Sequence, residues 1–184
     1  MTDEELVRRL QAGDAAAFET LYERYQSLVV RTAALITGSR QEGEDLAQEC
    51  FIRCWKQIGT LRDPSRLKSW ILTILTRAAW RSSKKIRREL PTETLWAGET
   101  AESTLEILLH REEQRRLYHA IRALPDKQRA MVVLYYFNDL PVREIARITG
   151  CLEGTVKSRL FGARRTLKKA LGEEFESQEE AFDL

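Results

Sequence analysis

Pro141-Val142-Arg143-Glu144-Ile145-Ala146-Arg147-Ile148-Thr149-Gly150-Cys151-Leu152-Glu153-Gly154-Thr155-Val156-Lys157-Ser158-Arg159-Leu160-Phe161-Gly162-Ala163-Arg164-Arg165 reads as a short helix, a tight turn and a second helix. Ile145, Ala146 and Thr149 fall on one helical face, and Pro141 stands where a first-turn proline is tolerated. Gly150 follows the last periodic residue, where a helix needs a left-handed cap. Ala146 is small where a second helix must cross closely. In that second helix Val156, Leu160, Ala163 and Leu167 are spaced for one buried face. The other face is expected to carry Lys157, Ser158, Phe161, Arg164, Arg165 and Lys168. A basic and polar helix held at an angle on its partner fits the major groove of DNA. A plain helical hairpin with a solvated charged face shares this spacing, so the rest of the chain must decide.

The chain has 184 residues, enough for one moderate domain or two small ones. Four prolines and nine glycines leave few breaks, and alternation of β-branched residues is nearly absent, which predicts an all-α fold. The net charge of +2 conceals segregation. Arg77, Arg81, Lys84, Lys85, Arg87 and Arg88 crowd one region, and the helix after Gly150 forms a second basic block. Basic patches on a nearly neutral whole point to directed binding of a polyanion. Three cysteines, an odd number, argue against a disulfide framework and fit a reducing cytoplasm. Cys50 and Cys54 lie one helical turn apart on an apolar stripe and read as small buried hydrophobes; His110 and His119, the only histidines, stand far along the chain from them. No signal peptide, twin-arginine leader or apolar run of membrane length is visible, which predicts neither export nor membrane insertion.

From the N-terminus, Asp3 is expected to cap a helix containing Leu6, Val7 and Leu10 that ends near Gly13. Asp14 then caps a long helix with Phe18, Leu21, Tyr22, Tyr25, Leu28, Val29, Ala33 and Ile36 inward, closed by Gly38 and Ser39. A third, from about Gln41, turns Leu46, Ala47, Cys50, Phe51, Cys54 and Ile58 inward and Asp45, Gln48, Glu49, Arg53 and Lys56 outward. Short connections make these a bundle. Residues 59–68 form a loop broken by Pro64, with Ser65 the expected cap of a helix starting near Leu67. That helix carries Trp70, Ile71, Ile74, Leu75 and Ala78 and runs past Trp80 into its basic half. Trp70 and Trp80 each admit two readings, as core or as platforms for unpaired bases. From Glu89 to about Ser103 the periodicity collapses into a polar linker with Leu95 and Trp96 as anchors. Helix is expected again over Leu105–Leu124 and after Pro125-Asp126, and Asn138-Asp139 leads to the helix-turn-helix.

At this point the residues resemble a family. Asp45-Leu46-Ala47-Gln48-Glu49-Cys50-Phe51-Ile52-Arg53-Cys54-Trp55 resembles the core-binding helix of the region-two domain of bacterial RNA polymerase sigma factors. Ala12-Gly13-Asp14 with Ala17-Phe18 and Leu21-Tyr22 is similar to the helix before it, and Leu67-Lys68-Ser69-Trp70-Ile71-Leu72 to the helix entering the promoter-melting segment. Leu124-Pro125-Asp126-Lys127-Gln128-Arg129, Glu144-Ile145-Ala146 and Gly154-Thr155-Val156-Lys157-Ser158-Arg159-Leu160 resemble region four. With no domain between the two, the likeness is to the minimal extracytoplasmic-function (ECF) group. It implies two small helical domains on a flexible linker: region two over 1–88, linker 89–104, region four over 105–172, and an acidic tail over 173–184.

The resemblance also implies roles. Asp45, Gln48, Glu49 and Arg53 would dock on the clamp helices of the largest subunit of core RNA polymerase, with the second-largest subunit's flap as a further contact. Leu61, Arg62, Arg66, Lys68, Trp70, Arg77 and Arg81 would capture and melt the −10 element, and Lys84, Lys85, Arg87 and Arg88 would hold the upstream backbone. Gly154, Thr155, Lys157, Ser158, Arg159, Phe161 and Arg164 would read the −35 duplex. Within that set Ser158 reaches base edges or phosphate, Phe161 suits a thymine methyl, and Thr155 and Arg164 hold phosphates. Promoter DNA and an anti-sigma factor complete the expected partners, the latter able to hold a cytoplasmic protein at the inner membrane surface.

Two positions depart from the family pattern: Gly162, where a basic residue is common and a DNA contact is thus expected to be missing, and Arg77, where Asn is common. No cofactor is expected, and neither nucleophile–base pairing nor a phosphate loop suggests an enzyme. The competing class is a stand-alone helix-turn-helix regulator of duplex operators, in which the 45–55 helix has no role. The tail after Leu171 carries six acidic and no basic residues, and reads either as a shield for the basic helix or as a solubilising end.

Overall fold

The computed structural model describes the backbone of residues 1–89 and 112–172, with side chains over 1–81 and 115–172. Every regular element among the described residues is helical, as the sequence predicts. The chain divides into two compact units, Met1–Gly98 and Glu99–Leu184. Positions 90–111 and 173–184, and with them most of the expected linker and the whole acidic tail, lie outside the described residues, as do the side chains of Lys84, Lys85, Arg87 and Arg88.

The first unit comprises α1 (Asp3–Gln11), α2 (Ala15–Thr37), α3 (Arg40–Gln57) and α4 (Leu67–Glu89). Its helix ends are set by short polar side chains. Thr2, rather than Asp3, caps α1 by accepting from the Glu5 amide. Asp3 is taken up elsewhere, accepting from Arg24 Nη1 (2.6 Å) and the Tyr25 hydroxyl (3.2 Å). Asp14 caps α2 through the Ala16 and Ala17 amides and accepts from Arg9 Nε at 2.7 Å. That Arg9 bond holds the Asp14 carboxyl below its ordinary range. Gly38 closes α2 in the left-handed conformation (φ 74°), and Ser39 caps α3. Before α4 the cap is Asp63, not Ser65: its carboxylate accepts from the Ser65 amide (3.1 Å) and hydroxyl (2.6 Å) across a 3-10 turn at Pro64–Arg66 that runs straight into the helix.

The core of this unit is Leu21, Val29 and Ala33 of α2 against Leu46, Cys50 and Cys54 of α3 and Leu67, Ile71 and Leu75 of α4, all buried. The Cys50 thiol lies 3.8 Å from the Ile71 carbonyl oxygen; its hydrogen bond with Cys54 and its burial push its pKa far up. Tyr22, read as inward-facing, is exposed and instead lays its ring against Phe51, with centroids 4.9 Å apart. Helices α2 and α3 approach closely at Gly43, a residue with no part in the apolar pattern. A methyl group there would stand 2.6 Å from both Cα and N of Ala34. The obstacle is backbone, so it cannot swing aside.

The second unit comprises α5 (Glu112–Arg122), α6 (Asp126–Val132), α7 (Val142–Thr149) and α8 (Glu153–Leu171). Leu124, expected to end the first of these, is buried in the turn after it. Arg129 ties that turn down from beneath: Nη1 donates to the Arg122 (2.8 Å) and Leu124 (3.2 Å) carbonyls and Nη2 to Asp126 (3.0 Å). Helix α6 widens into a π-helical turn over Val133–Phe137. Buried Asn138 donates to the Val133 carbonyl at 3.0 Å, and the Leu140 amide to that of Leu134. Asp139 adopts φ 55° to redirect the chain into α7. Gly150 ends α7 at φ 66°, as its position after Thr149 predicts.

Gly43→Ala is expected to destabilise the protein by about 1–3 kcal/mol through overpacking against the α2 backbone, offset only in part by alanine's better helix propensity. A lower urea midpoint with an unchanged slope is the readout; an unchanged midpoint would refute the close-packing account.

Candidate nucleic-acid interface

Helix α8 is fixed by its buried face. Val156, Leu160, Ala163 and Leu167 are all buried, and Ile145, Ala146, Ile148 and Thr149 of α7 are buried with them. Burying that stripe sets the rotation of the helix, which leaves Gly154, Lys157, Ser158, Phe161 and Arg165 exposed. Phe161 is 68% exposed, an apolar ring standing in solvent among cations and a hydroxyl. Thr155 is half-buried.

Two of the arginines expected on this face are engaged within the domain. Arg159 is half-buried, and its Nη1 donates to Cys151 Sγ in the helix-turn-helix turn at 3.2 Å. Arg164 is half-buried; its Nε donates to the Tyr136 hydroxyl at 2.6 Å, and its Nη2 is buried without a hydrogen-bond partner. The periodicity already contains this outcome, because Arg164 follows Leu160 by four residues and so sits about 40° from it around the helix.

In the first unit, the loop before α4 presents Arg62 and Arg66 to solvent, whereas Leu61 is buried and belongs to the core. Arg66 Nε donates to Asp63 at 3.1 Å. Arg77 and Arg81 are exposed along α4, and Lys68 is half-buried. Trp70 and Trp80 are both half-buried, between their two readings. The Trp70 indole N–H points to Thr60 Oγ1 (3.4 Å), and that of Trp80 is buried without a hydrogen-bond partner.

On α3, Asp45, Gln48 and Glu49 are exposed, and half-buried Arg53 donates through Nε to Glu49 at 2.8 Å. The sequence reading missed that this outer face is also apolar. Ile52 is 55% and Trp55 38% exposed, with Trp55 packed edge-on against Phe18 of α2 at 5.3 Å. Spacing did carry the signal, since Ile52 follows Asp45 by seven residues and Gln48 by four.

A helix-turn-helix whose second helix bares cations, a hydroxyl and an aromatic ring, preceded in the chain by a separate helical bundle, defines an all-helical DNA-binding protein of two modules. Comparison with known proteins makes this specific. Residues 21–89 match the family described as sigma-70 region 2, and residues 114–167 match sigma-70, region 4. The chain is 30% identical over 181 residues to RNA polymerase sigma-H factor of Pseudomonas aeruginosa, covering 92% of this chain and 93% of that one. It is 32% identical over 180 residues to the ECF RNA polymerase sigma-E factor of Escherichia coli K12, covering 91% and 93%. Among solved structures it is similar to the sigma factor RpoE in complex with the anti-sigma factor NepR from Bartonella quintana, with a TM-score of 0.66 at 23% identity over 84% of this chain and 96% of that one. The chain belongs to the sigma-70 family of RNA polymerase sigma factors, in its extracytoplasmic-function group, and is a transcription initiation factor.

Gly162, the departure noted above, has an internal neighbour. A methyl group built on it would lie 3.2 Å from Gln128 Nε2 on α6. That amide is the far end of a flexible side chain whose Oε1 has no hydrogen-bond partner, so it can give way. Gly162→Ala is therefore expected to stabilise the protein by up to about 1 kcal/mol through helix propensity, read as a raised unfolding midpoint. A drop would show that Gln128 is rigidly held.

Proposed function

We propose that this sigma factor docks on core RNA polymerase through the outer face of α3, reads a −35 element as duplex with α8, and captures a melted −10 element at the loop before α4. Exposed Phe161, flanked by Lys157 and Ser158, is the observation that carries the −35 reading. An isolated phenyl ring costs solvation where it stands, and a thymine methyl in the major groove is a partner that removes it from water. Gly154, Thr155 and Arg159 border the same surface, with phosphate as their expected contact. On α3, Asp45, Gln48, Glu49 and Arg53 supply polar contacts to the clamp helices, and Ile52 and Trp55 add an apolar centre between them. Arg62, Arg66, Lys68, Trp70, Arg77 and Arg81 form the −10 set, with Lys84, Lys85, Arg87 and Arg88 following on the upstream backbone.

Each DNA contact is weak alone, and tethering both modules to polymerase raises their effective concentration on the promoter. The domain limits 1–88, 89–104, 105–172 and 173–184 belong to this reading, as does a cytoplasmic location. No helix among the described residues is long and apolar enough to cross a membrane. An anti-sigma factor is proposed as the negative regulator, on the analogy of relatives solved with NepR and with the cytosolic domain of CnrY.

Run-off transcription from a randomised promoter library, with core polymerase alone and with this protein added, tests the proposal. Protein-dependent transcripts sharing two upstream elements at fixed spacing are expected. Operator binding without polymerase, and no such transcripts, would favour the stand-alone regulator. Phe161→Ala is expected to lower transcription from a selected promoter by about tenfold while changing the unfolding free energy by less than about 0.5 kcal/mol, because the ring is exposed. Equal loss on a template lacking the −35 element would refute the groove contact.

A further inference from the structure

Of the two arginines of the expected −35 set that are engaged within the domain, Arg164 has the more specific surroundings. Nε donates to the Tyr136 hydroxyl at 2.6 Å, and the guanidinium carbon lies 5.9 and 5.8 Å from the ring centroids of Tyr135 and Tyr136. The two rings meet edge to face, with centroids 4.9 Å apart. Both tyrosines belong to the π-helical turn Val133–Phe137, which Asn138 secures by donating to the Val133 carbonyl. Such turns are rare and frequently occur at functional sites, and this one brings two aromatic rings to a single cation. Nη2 is buried, out of reach of a phosphate on the outer surface.

We propose that Arg164 is a positioning residue for −35 recognition, acting through Tyr136 and Tyr135, and not itself a DNA contact. The inference rests on the −35 reading above. The buried stripe of α8 fixes which face turns inward, and a directional bond refines the angle within that limit, since apolar contacts themselves carry no direction. A charge-assisted hydrogen bond between a planar guanidinium and a phenol has a fixed direction. Placed one turn beyond Leu160, it sets the fine rotation of α8 within the range the buried stripe allows. That rotation decides where Lys157, Ser158 and Phe161 meet the groove. The π-helical turn is then a second anchor of the recognition helix, besides the apolar stripe it shares with α7.

The test uses holoenzyme assembled from core polymerase and full-length protein on a promoter selected from the library, and on the same template with its −35 element scrambled. Tyr136→Phe removes one hydroxyl and keeps the ring; Arg164→Gln removes the charge; the double variant completes a cycle. Each single variant is expected to lower −35-dependent transcription by about fivefold, the size of one lost hydrogen bond, with the scrambled template unaffected. The double variant should be no worse than Arg164→Gln, and the slope of log affinity against log salt should match wild type. Arg164→Gln shallower in salt dependence by about one, with Tyr136→Phe neutral, would make Arg164 a phosphate contact and overturn the proposal. Equal losses on both templates, or a lowered unfolding midpoint with −35 dependence intact, would reduce the pair to a folding role and also overturn it. Wild-type holoenzyme that ignores the −35 element altogether would sink the −35 reading itself, an outcome distinct from any of these.

Discussion

An α-helix that buries one face must show the other, and in α8 that single constraint assigns nearly every side chain a task. Val156, Leu160, Ala163 and Leu167 leave water together. With 3.6 residues per turn, Ser158, Phe161 and Arg165 are then forced outward as a set. Which side chains of α8 face outward therefore follows from the core alone. Residues near the margin between the two faces are where a reading becomes uncertain, and Arg159 and Arg164 both lie there. Each is half-buried and spends donors inside the domain, on Cys151 and Tyr136 respectively.

The sequence carried the fold because the fold is local. Apolar spacing in each helix, the left-handed caps Gly38 and Gly150, and the N-cap Asp14 need no knowledge of distant contacts. Adjacent capping candidates were harder to separate, since Thr2 and Asp3, or Asp63 and Ser65, offer the same chemistry one or two residues apart. Tertiary demand chose between them: Asp3 was recruited by Arg24 and Tyr25, which left the cap to Thr2. Exposed apolar residues were harder still. Tyr22 satisfies the inward periodicity of α2, and only the packed bundle shows that the core is already full without it.

Side-chain chemistry on the candidate surfaces was legible where exposure follows from period alone, as for Asp45, Gln48, Glu49, Lys157, Ser158 and Phe161. It was illegible where a long side chain could fold back. Leu61 shows the opposite limit: the resemblance places it in the −10 set, yet it drops into the core as the chain turns after the Ile58–Thr60 segment, while its carbonyl accepts from Gln11 at 2.9 Å. The loop keeps its basic side chains outward for the same reason that α8 does, since its apolar member has been used inside.

Glycines in helices separate the two kinds of constraint most plainly. Gly43 is demanded by the Ala34 backbone 2.6 Å away, a requirement wholly internal to the bundle. Gly154, in the first turn of α8, has nothing within 4 Å of where a side chain would begin and an ordinary backbone conformation. Nothing inside the domain calls for glycine there, and alanine would favour the helix. In the proposed reading its reason lies outside the chain, in a DNA backbone that approaches the start of α8 too closely for a methyl group. An internal constraint appears as a clash within the protein; an external one appears as a local stability sacrificed for no partner that the domain itself contains.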